Sequence, residues 1–281
     1  MWFVAVNATL LIGIIWVGAV GLFAPVIGIG GAFLSLLFAK ALAIRAHGIK
    51  LIEPMNPRSG AERELLDMIT DLAGRAGLEH VPAVGVYASP DLNAFATGTN
   101  QKGSLVAFTD RLLEELPAEE IRAVAAHEIA HIANRDMLAM VLLQGAINSI
   151  IIAIVVPISF MRFFVDSSDK YGVMLDGLLW LLKAALALVL TFLGSLLVKA
   201  FSRRRELRAD ALAARLCGSG SMIAALKSID RDTAIIPRAQ LGYAAFKIAG
   251  GSSWGEWFST HPSMARRIAN LDSLPHGPVE G

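Results

Sequence analysis

The sequence is poor in charge and nearly free of cysteine. Only 17% of its 281 residues are charged, and the one cysteine is Cys217. A single cysteine excludes an intrachain disulfide and favours the cytosol for any soluble portion. The formal net charge of +1 offers no excess of basic side chains for phosphate groups, so we predict no nucleic-acid partner.

Charge is missing above all from long apolar runs, which predicts a membrane protein. Hydrophobic residues make up 55% of the chain, and the mean hydropathy is +0.57. Residues 1–39 carry no charged side chain, enough for two spans of about 20 residues each. We place these spans at 3–20 and 26–44, with a turn at 21–25. A cleaved signal peptide is disfavoured, because no basic residue precedes this run.

A second apolar pair lies at 138–161 and 175–198, which brings the prediction to four transmembrane helices in a lipid bilayer. Basic residues follow the second and fourth spans: Lys40, Arg45, Lys50, Lys199, Arg203, Arg204, Arg205 and Arg208. Because basic residues remain on the cytoplasmic side, the soluble parts are predicted to face the cytosol. An even number of spans also leaves both soluble parts in one compartment.

The soluble parts are predicted to be mainly helical with a small β-sheet. Apolar residues at helical spacing indicate a helix over 62–76. Short strands are predicted at 83–88, 92–98 and 104–108, the last two joined by a hairpin turn at 100–103. Further helices are predicted after Pro117, over 202–216 and over 262–271.

The most informative motif is His127-Glu128-Ile129-Ala130-His131. Two histidines four residues apart on a helix share one face, so both imidazoles can reach one metal ion. In zinc hydrolases with this H-E-x-x-H spacing, the histidines bind zinc and the glutamate acts as general base. We therefore predict His127 and His131 as metal ligands and Glu128 as the catalytic base.

A catalytic zinc site usually has three protein ligands, so a third must come from elsewhere in the chain. Glu206 is the best candidate, because it lies on a second predicted helix, with Asp210 one turn later on the same face. Asp210 would accept the free N–H of a zinc-bound histidine and so fix its tautomer.

Four segments together resemble the HtpX-type membrane-bound zinc metalloproteases, gluzincins related to the CAAX prenyl proteases. They are 93–98 (NAFATG), 127–136 (HEIAHIANRD), 202–210 (SRRRELRAD) and 260–262 (THP), in this order among the apolar spans. The resemblance implies zinc ligands at His127, His131 and Glu206, with Asp210 in contact with one of the ligands and orienting it. It also implies that an edge strand formed by Asn93, Ala94, Phe95 and Ala96 pairs with the substrate.

Three other residues are weaker candidates. By resemblance, His261 lies near the scissile bond, where it would donate to the developing oxyanion; capping of the following helix explains it almost as well. Asn134 and Asp136 follow the second histidine. Either would orient a ligand, or both would simply end the helix.

The sequence therefore predicts four parts. They are a transmembrane hairpin (1–45), the first part of a zincin-like catalytic domain (46–137), a second hairpin (138–199) and the second part of that domain (200–281). The resemblance implies a cytosol-facing endopeptidase in a bacterial or archaeal cytoplasmic membrane, with one zinc ion per chain. Its substrates would be misfolded or damaged membrane proteins and some cytosolic proteins. A non-proteolytic zinc adaptor and a prenyl-protein protease are the alternatives, and the oligomeric state is left open.

Overall fold

The computed structural model describes residues 2–166, 168–235 and 262–274, and it confirms a mainly helical chain with one small sheet. The elements in chain order are α1 (Trp2–His47), β1 (Lys50–Leu51), α2 (Gly60–Arg75), β2 (Ala83–Tyr87), β3 (Ala94–Thr97), β4 (Leu105–Thr109), α3 (Asp110–Glu115), α4 (Ala118–Ala133), α5 (Asp136–Met161), a 3-10 turn (Arg162–Phe164), α6 (Lys170–Cys217), α7 (Ser219–Ile235) and α8 (Met264–Asp272).

Helix α1 corrects the predicted N-terminal hairpin. The expected turn at 21–25 is helical, and Pro25 lies inside one helix of 46 residues. Proline removes only its own N–H from the helical ladder, whereas a turn in apolar surroundings would leave several main-chain groups without partners. One continuous helix is therefore the less costly solution in this stretch.

The chain divides into two compact units, which do not follow the order of the sequence. The first comprises Met1–Ser35 and Met140–Val198, and the second comprises Leu36–Ala139 and Lys199–Gly281. Among the described residues, three helices are long and apolar enough to cross a membrane: Phe23–His47, Asp136–Met161 and Lys170–Cys217. The predicted count of four is not confirmed.

Glycines bring α1 and α5 close together within the first unit. A Cβ atom added to Gly28 would overlap with Oγ of Ser149, and one on Gly145 would lie 2.7 Å from Cα of Ile29. Small residues at such positions allow two helix backbones to approach, which is how membrane helices gain packing energy.

The second unit contains a mixed four-stranded sheet in the order β1-β2-β4-β3. Strand β2 runs parallel to β4, and β3 pairs with β4 antiparallel, with Ala96 opposite Val106. The predicted strands are present, whereas β1, with its two residues, was not predicted. Strand β3 lies at the edge of the sheet, and among the described residues no other strand pairs with the outer side of its main chain.

The sheet buries both faces by alternation along β4. Val106 and Phe108 belong to the larger core, with residues of α2, α4 and α7. Leu105 and Ala107 point the other way and pack in a smaller cluster with Ile49 and Tyr87. Side chains on a strand alternate between faces, so one apolar strand of five residues supplies both cores.

One predicted helix is part of a longer helix, and another helix was not predicted. The predicted helix at 202–216 is the last part of α6, which continues unbroken from the apolar stretch. At 1.5 Å per residue, its 48 residues extend for about 70 Å. Helix α7 was not predicted. The sequence assigns no role to residues 231–253, and of these only 231–235 lie among the described residues.

The core against α2 is expected to decide the stability of the second unit. Leu72 is fully buried, whereas Leu51 is 42% exposed. Leu72→Ala should lower the free energy of unfolding by about 2–5 kcal/mol, because a cavity forms beside α4. Leu51→Ala, the matched control, should change it by about 0.5 kcal/mol or less. Urea denaturation in detergent, followed by near-ultraviolet circular dichroism, measures both; equal losses would contradict this core assignment.

Candidate metal centre

Helix α4 carries the two histidines of the motif on its buried side. It begins after Pro117, and Glu119 and Glu120 lie in its first turn, where carboxylates favour the positive end of the helix dipole. The Nε2 atoms of His127 and His131 face each other at 3.1 Å. The spacing of four residues thus places both ring nitrogens at one point.

Glu206 of α6 reaches the same point from a distant part of the chain. Its Oε2 lies 3.6 Å from Nε2 of His127, and its Oε1 lies 3.5 Å from Nε2 of His131. One ligand atom from each of the three residues lies within 4.8 Å of the others, and all three side chains are buried. The structure therefore brings together the three residues predicted as metal ligands.

Each histidine also contacts a buried carboxylate through its other ring nitrogen. Nδ1 of His127 lies 2.9 Å from Oδ1 of Asp210, and Nδ1 of His131 lies 2.6 Å from Oδ2 of Asp136. A carboxylate at Nδ1 favours the tautomer with hydrogen on that nitrogen, which leaves the Nε2 lone pair for a cation. Asp210 and Asp136 thus lie where support for ligands was predicted.

Two arginines complete this arrangement, and one of them was missed by the sequence analysis. Arg267 of α8 binds both oxygens of Asp210, at 2.8 and 2.6 Å. Arg205 donates to Oε1 of Glu206 at 3.0 Å. A signal for Arg267 was present, since it falls on the apolar stripe of α8 formed by Met264, Ile268 and Leu271. An arginine at a core position needs a buried anion as its partner.

Arg135 makes the bend that allows Asp136 to reach His131. Its φ of 55° is the one positive value among the described residues other than glycine. Helix α4 ends at Ala133 and α5 begins at Asp136. A left-handed residue between two helices turns the chain sharply, and here it places the first residue of α5 beside the end of α4.

The predicted catalytic base is buried beside the cluster. Burial raises the pKa of Glu128, although charge interactions with the two histidines and a hydrogen bond from the main-chain N–H of Ala96 oppose this. Burial lowers the pKa of His127, but contacts with Asp210 and Glu206 outweigh it and raise the value to about 9. A cation that binds here must therefore displace a proton from His127.

The donor set and its spacing fit a divalent metal ion. Tetrahedral ligands about 2.0–2.1 Å from zinc lie about 3.3 Å apart, and the three ligand separations of 3.1, 3.5 and 3.6 Å lie close to this.

The charge of the site also bears on metal binding. Four carboxylates are buried here: Glu128, Asp136, Glu206 and Asp210. Arg205 and Arg267 bind directly to this group, and exposed Arg208 lies 3.9 Å from Asp136. The four carboxylates outnumber these three arginines, and loss of the His127 proton would leave an excess of negative charge, which favours a cation.

The other predicted site residues lie away from the three ligands, or they fall outside the residues that the structure describes. Asn134 is the exposed C-terminal cap of α4. The Asn93 amide contacts the Tyr87 hydroxyl, and the Phe95 ring packs on Tyr87, in the smaller core. Ala94 and Ala96 lie on the opposite face, against the larger core. His261 lies outside the described residues.

Comparisons with known proteins agree with these features. The model of peptidase family M48 matches residues 59–274. Protease HtpX from Aeromonas salmonicida is 38% identical over 253 residues, which cover 89% of this chain and 86% of the relative. Protease HtpX from Shewanella oneidensis is 40% identical over 263 residues, which cover 91% and 88%.

A solved structure has a similar fold. The crystal structure of S. mikatae Ste24p matches with a TM-score of 0.58 and 19% identity, over 96% of this chain and 66% of that chain. This chain therefore spans slightly less than two thirds of that structure. At this level of identity the likeness concerns the fold alone.

Arg267 is expected to control metal affinity through Asp210. Arg267→Ala would leave the Asp210 carboxylate buried without its bidentate partner and free to move away from His127. We expect zinc affinity to fall by about 10- to 100-fold, the usual cost of losing support for a ligand. Competition with a chromophoric chelator measures this, and Arg266→Ala on the exposed side of α8 is the matched control. Unchanged affinity in Arg267→Ala would contradict the role given to Arg267.

Proposed function

The chain belongs to peptidase family M48, and on this basis we propose that it is a membrane-bound zinc endopeptidase of misfolded or damaged proteins. The observation that carries the proposal is the convergence of His127, His131 and Glu206 with Glu128 buried beside them. A structural zinc site usually has four protein ligands, whereas three ligands and an adjacent base suit hydrolysis.

The chemistry is divided between the metal and the chain. A zinc ion held by His127, His131 and Glu206 would polarise the scissile carbonyl and the attacking water. Glu128 takes the proton from that water on its carboxylate and then delivers it to the leaving amine. The raised pKa of Glu128 suits this exchange, because the carboxyl can hold the proton between the two transfers. We retain His261 as a proposed donor to the oxyanion.

Strand β3 is proposed to bind the substrate main chain. Thr109 N donates to Asn93 O at 2.9 Å, so Asn93 is bonded to β4. Bonded and non-bonded pairs alternate in an antiparallel ladder, so the main-chain groups of Ala94 and Ala96 face away from β4. The bond from Ala96 N–H to Glu128 agrees with this direction. An extended peptide added at this edge would pass the catalytic base.

Main-chain recognition supports a role in protein quality control. It reads an extended backbone more than a particular side chain, so it suits segments that have lost their fold. A catalytic unit tied to membrane helices would meet such segments where misfolded membrane proteins leave the bilayer. The proposed substrates are therefore misfolded or damaged membrane proteins, together with some unfolded cytosolic proteins.

The proposed membrane topology has one span in each of α1, α5 and α6. Because α5 and α6 cross in opposite directions, residues 46–137 and 200–281 lie in one compartment whether α1 crosses once or not at all. The basic residues at 199–208 follow the last apolar stretch and favour the cytosol for both segments. They would form one catalytic domain at a bacterial or archaeal cytoplasmic membrane.

Two alternatives make different chemical predictions. A zinc-stabilised adaptor would bind unfolded protein without cutting it and has no use for Glu128. A prenyl-protein protease would prefer prenylated peptides. A mass-spectrometric map of cleavage sites in unfolded and prenylated peptides separates all three.

Glu128→Gln tests the proposed function directly. The substitution keeps the size of the side chain but removes the base, so casein hydrolysis should fall by at least about 100-fold. Zinc content, measured by plasma mass spectrometry, should stay at one ion per chain. Glu206→Gln should lose both zinc and activity. Full activity in Glu128→Gln would refute the general-base role.

Cysteine labelling tests the proposed orientation. In a Cys217→Ser background, Met55→Cys places a thiol at a fully exposed position of the catalytic segment, and Ser168→Cys places one between α5 and α6. An impermeant maleimide added to intact spheroplasts should label only the Ser168→Cys variant, and lysis should expose the other thiol. Labelling of the Met55→Cys variant in intact spheroplasts would place the catalytic segment outside the cell.

A further inference from the structure

A cavity of about 350 Å³ adjoins the metal centre within the second unit. His131 contributes to its wall, so the cavity begins at one of the three residues that converge on the metal position. Thr97, the last residue of β3, and Gly98, which follows it, also line the cavity. A peptide that extends along β3 past the cluster would therefore present a side chain to this cavity.

The charges around the cavity are unequal. Lys102 and Arg135 line it, as does one carboxylate, Glu79. All three side chains are exposed, and no ion pair is seen for either cation among the described residues. The apolar lining comes from Ile132, Met137 and Leu138. Two cations with no carboxylate partner leave the cavity with a preference for negative charge.

The two cations are held by structured backbone. The loop that carries Lys102 is closed by Gly103 N donating to Oδ1 of Asn100 at 2.7 Å. It is tied to residue 79 by Glu79 N donating to Oε1 of Gln101 at 3.0 Å. Gly98 has φ +133°, and a Cβ there would lie 2.6 Å from Gly103 O, so the loop packs directly on the end of β3. Arg135 is held by the left-handed bend between α4 and α5.

We propose that this cavity is a specificity subsite that prefers a substrate side chain bearing a carboxylate, Asp or Glu, close to the scissile bond. The proposal rests on the proposed peptidase function. Lys102 and Arg135 attract the carboxylate, Glu79 opposes it, and the apolar lining accepts the methylene groups. Main-chain pairing with β3 would then give broad substrate use, and the cavity would set which bond is cut.

The test uses the full-length, zinc-loaded protein in detergent micelles. A map of cleavage sites in denatured casein locates the position that is enriched in Asp and Glu. Two quenched fluorescent peptides that differ only at that position, Asp in one and Lys in the other, then give kcat/KM values. Wild type should favour the Asp peptide by up to about fivefold, the upper range for one exposed ion pair in water.

Variants that remove either a positive or the negative charge of the cavity distinguish attraction of the substrate carboxylate from a general loss of activity. Lys102→Glu and Arg135→Asn should each reduce the preference for the Asp peptide; asparagine tolerates the positive φ at position 135. Glu79→Gln should increase it. Lys227→Glu, an exposed charge reversal on α7, should leave it unchanged. The opposite direction expected for Glu79→Gln keeps the test valid if Lys102→Glu fails to fold.

The possible failures are distinguishable. Cleavage of both peptides with equal kcat/KM by wild type, or a preference that none of the cavity variants changes, would overturn the subsite and leave the peptidase function intact. No cleavage of casein or of either peptide by the zinc-loaded wild type would overturn both.

Discussion

The structure depends on the burial of four carboxylates and two imidazoles at one point in a protein interior. Charged groups are tolerated there only when each finds a partner, because desolvation otherwise costs several kcal/mol per ion. Here the partners come from four elements: α4, the start of α5, α6 and α8 each contribute. The electrostatic requirement of the cluster therefore also fixes how distant parts of the second unit pack together.

The features that the sequence predicted are those set by short-range chemistry. The H-E-x-x-H helix follows from a spacing of four residues, and the strands follow from alternation. Placing Glu206 beside the histidines needed more, because 75 residues separate it from His131; the inference relied on the number of ligands that zinc requires. Arg267 was missed because its partner Asp210 is 57 residues away and no local pattern joins them. The turn at 21–25 was wrong because proline was weighted above the need to satisfy the backbone in apolar surroundings.

Arg135 shows how a single backbone conformation connects two properties of the site. Its left-handed φ ends α4 and starts α5 so that the Asp136 carboxylate meets the His131 ring. The same bend places the guanidinium-bearing residue at the wall of the cavity beside the cluster. Support for a ligand and the charge of the cavity therefore both depend on this position. The strain of a non-glycine residue in this conformation, of order 1–3 kcal/mol, is concentrated at the functional site.

The outer edge of β3 also bears on whether one copy of the protein can cleave another copy in the same membrane. A peptide that binds at that edge must be an extended strand with free amide and carbonyl groups. Helices hold their amides and carbonyls within themselves, and the inner strands of the sheet hold theirs against neighbours. A neighbouring copy in its native state therefore offers few extended segments with free main-chain groups that could bind along β3 beside Glu128. If β3 binds the substrate as proposed, conformation would limit autolysis without a separate inhibitor, and self-cleavage would begin only after a copy had begun to unfold.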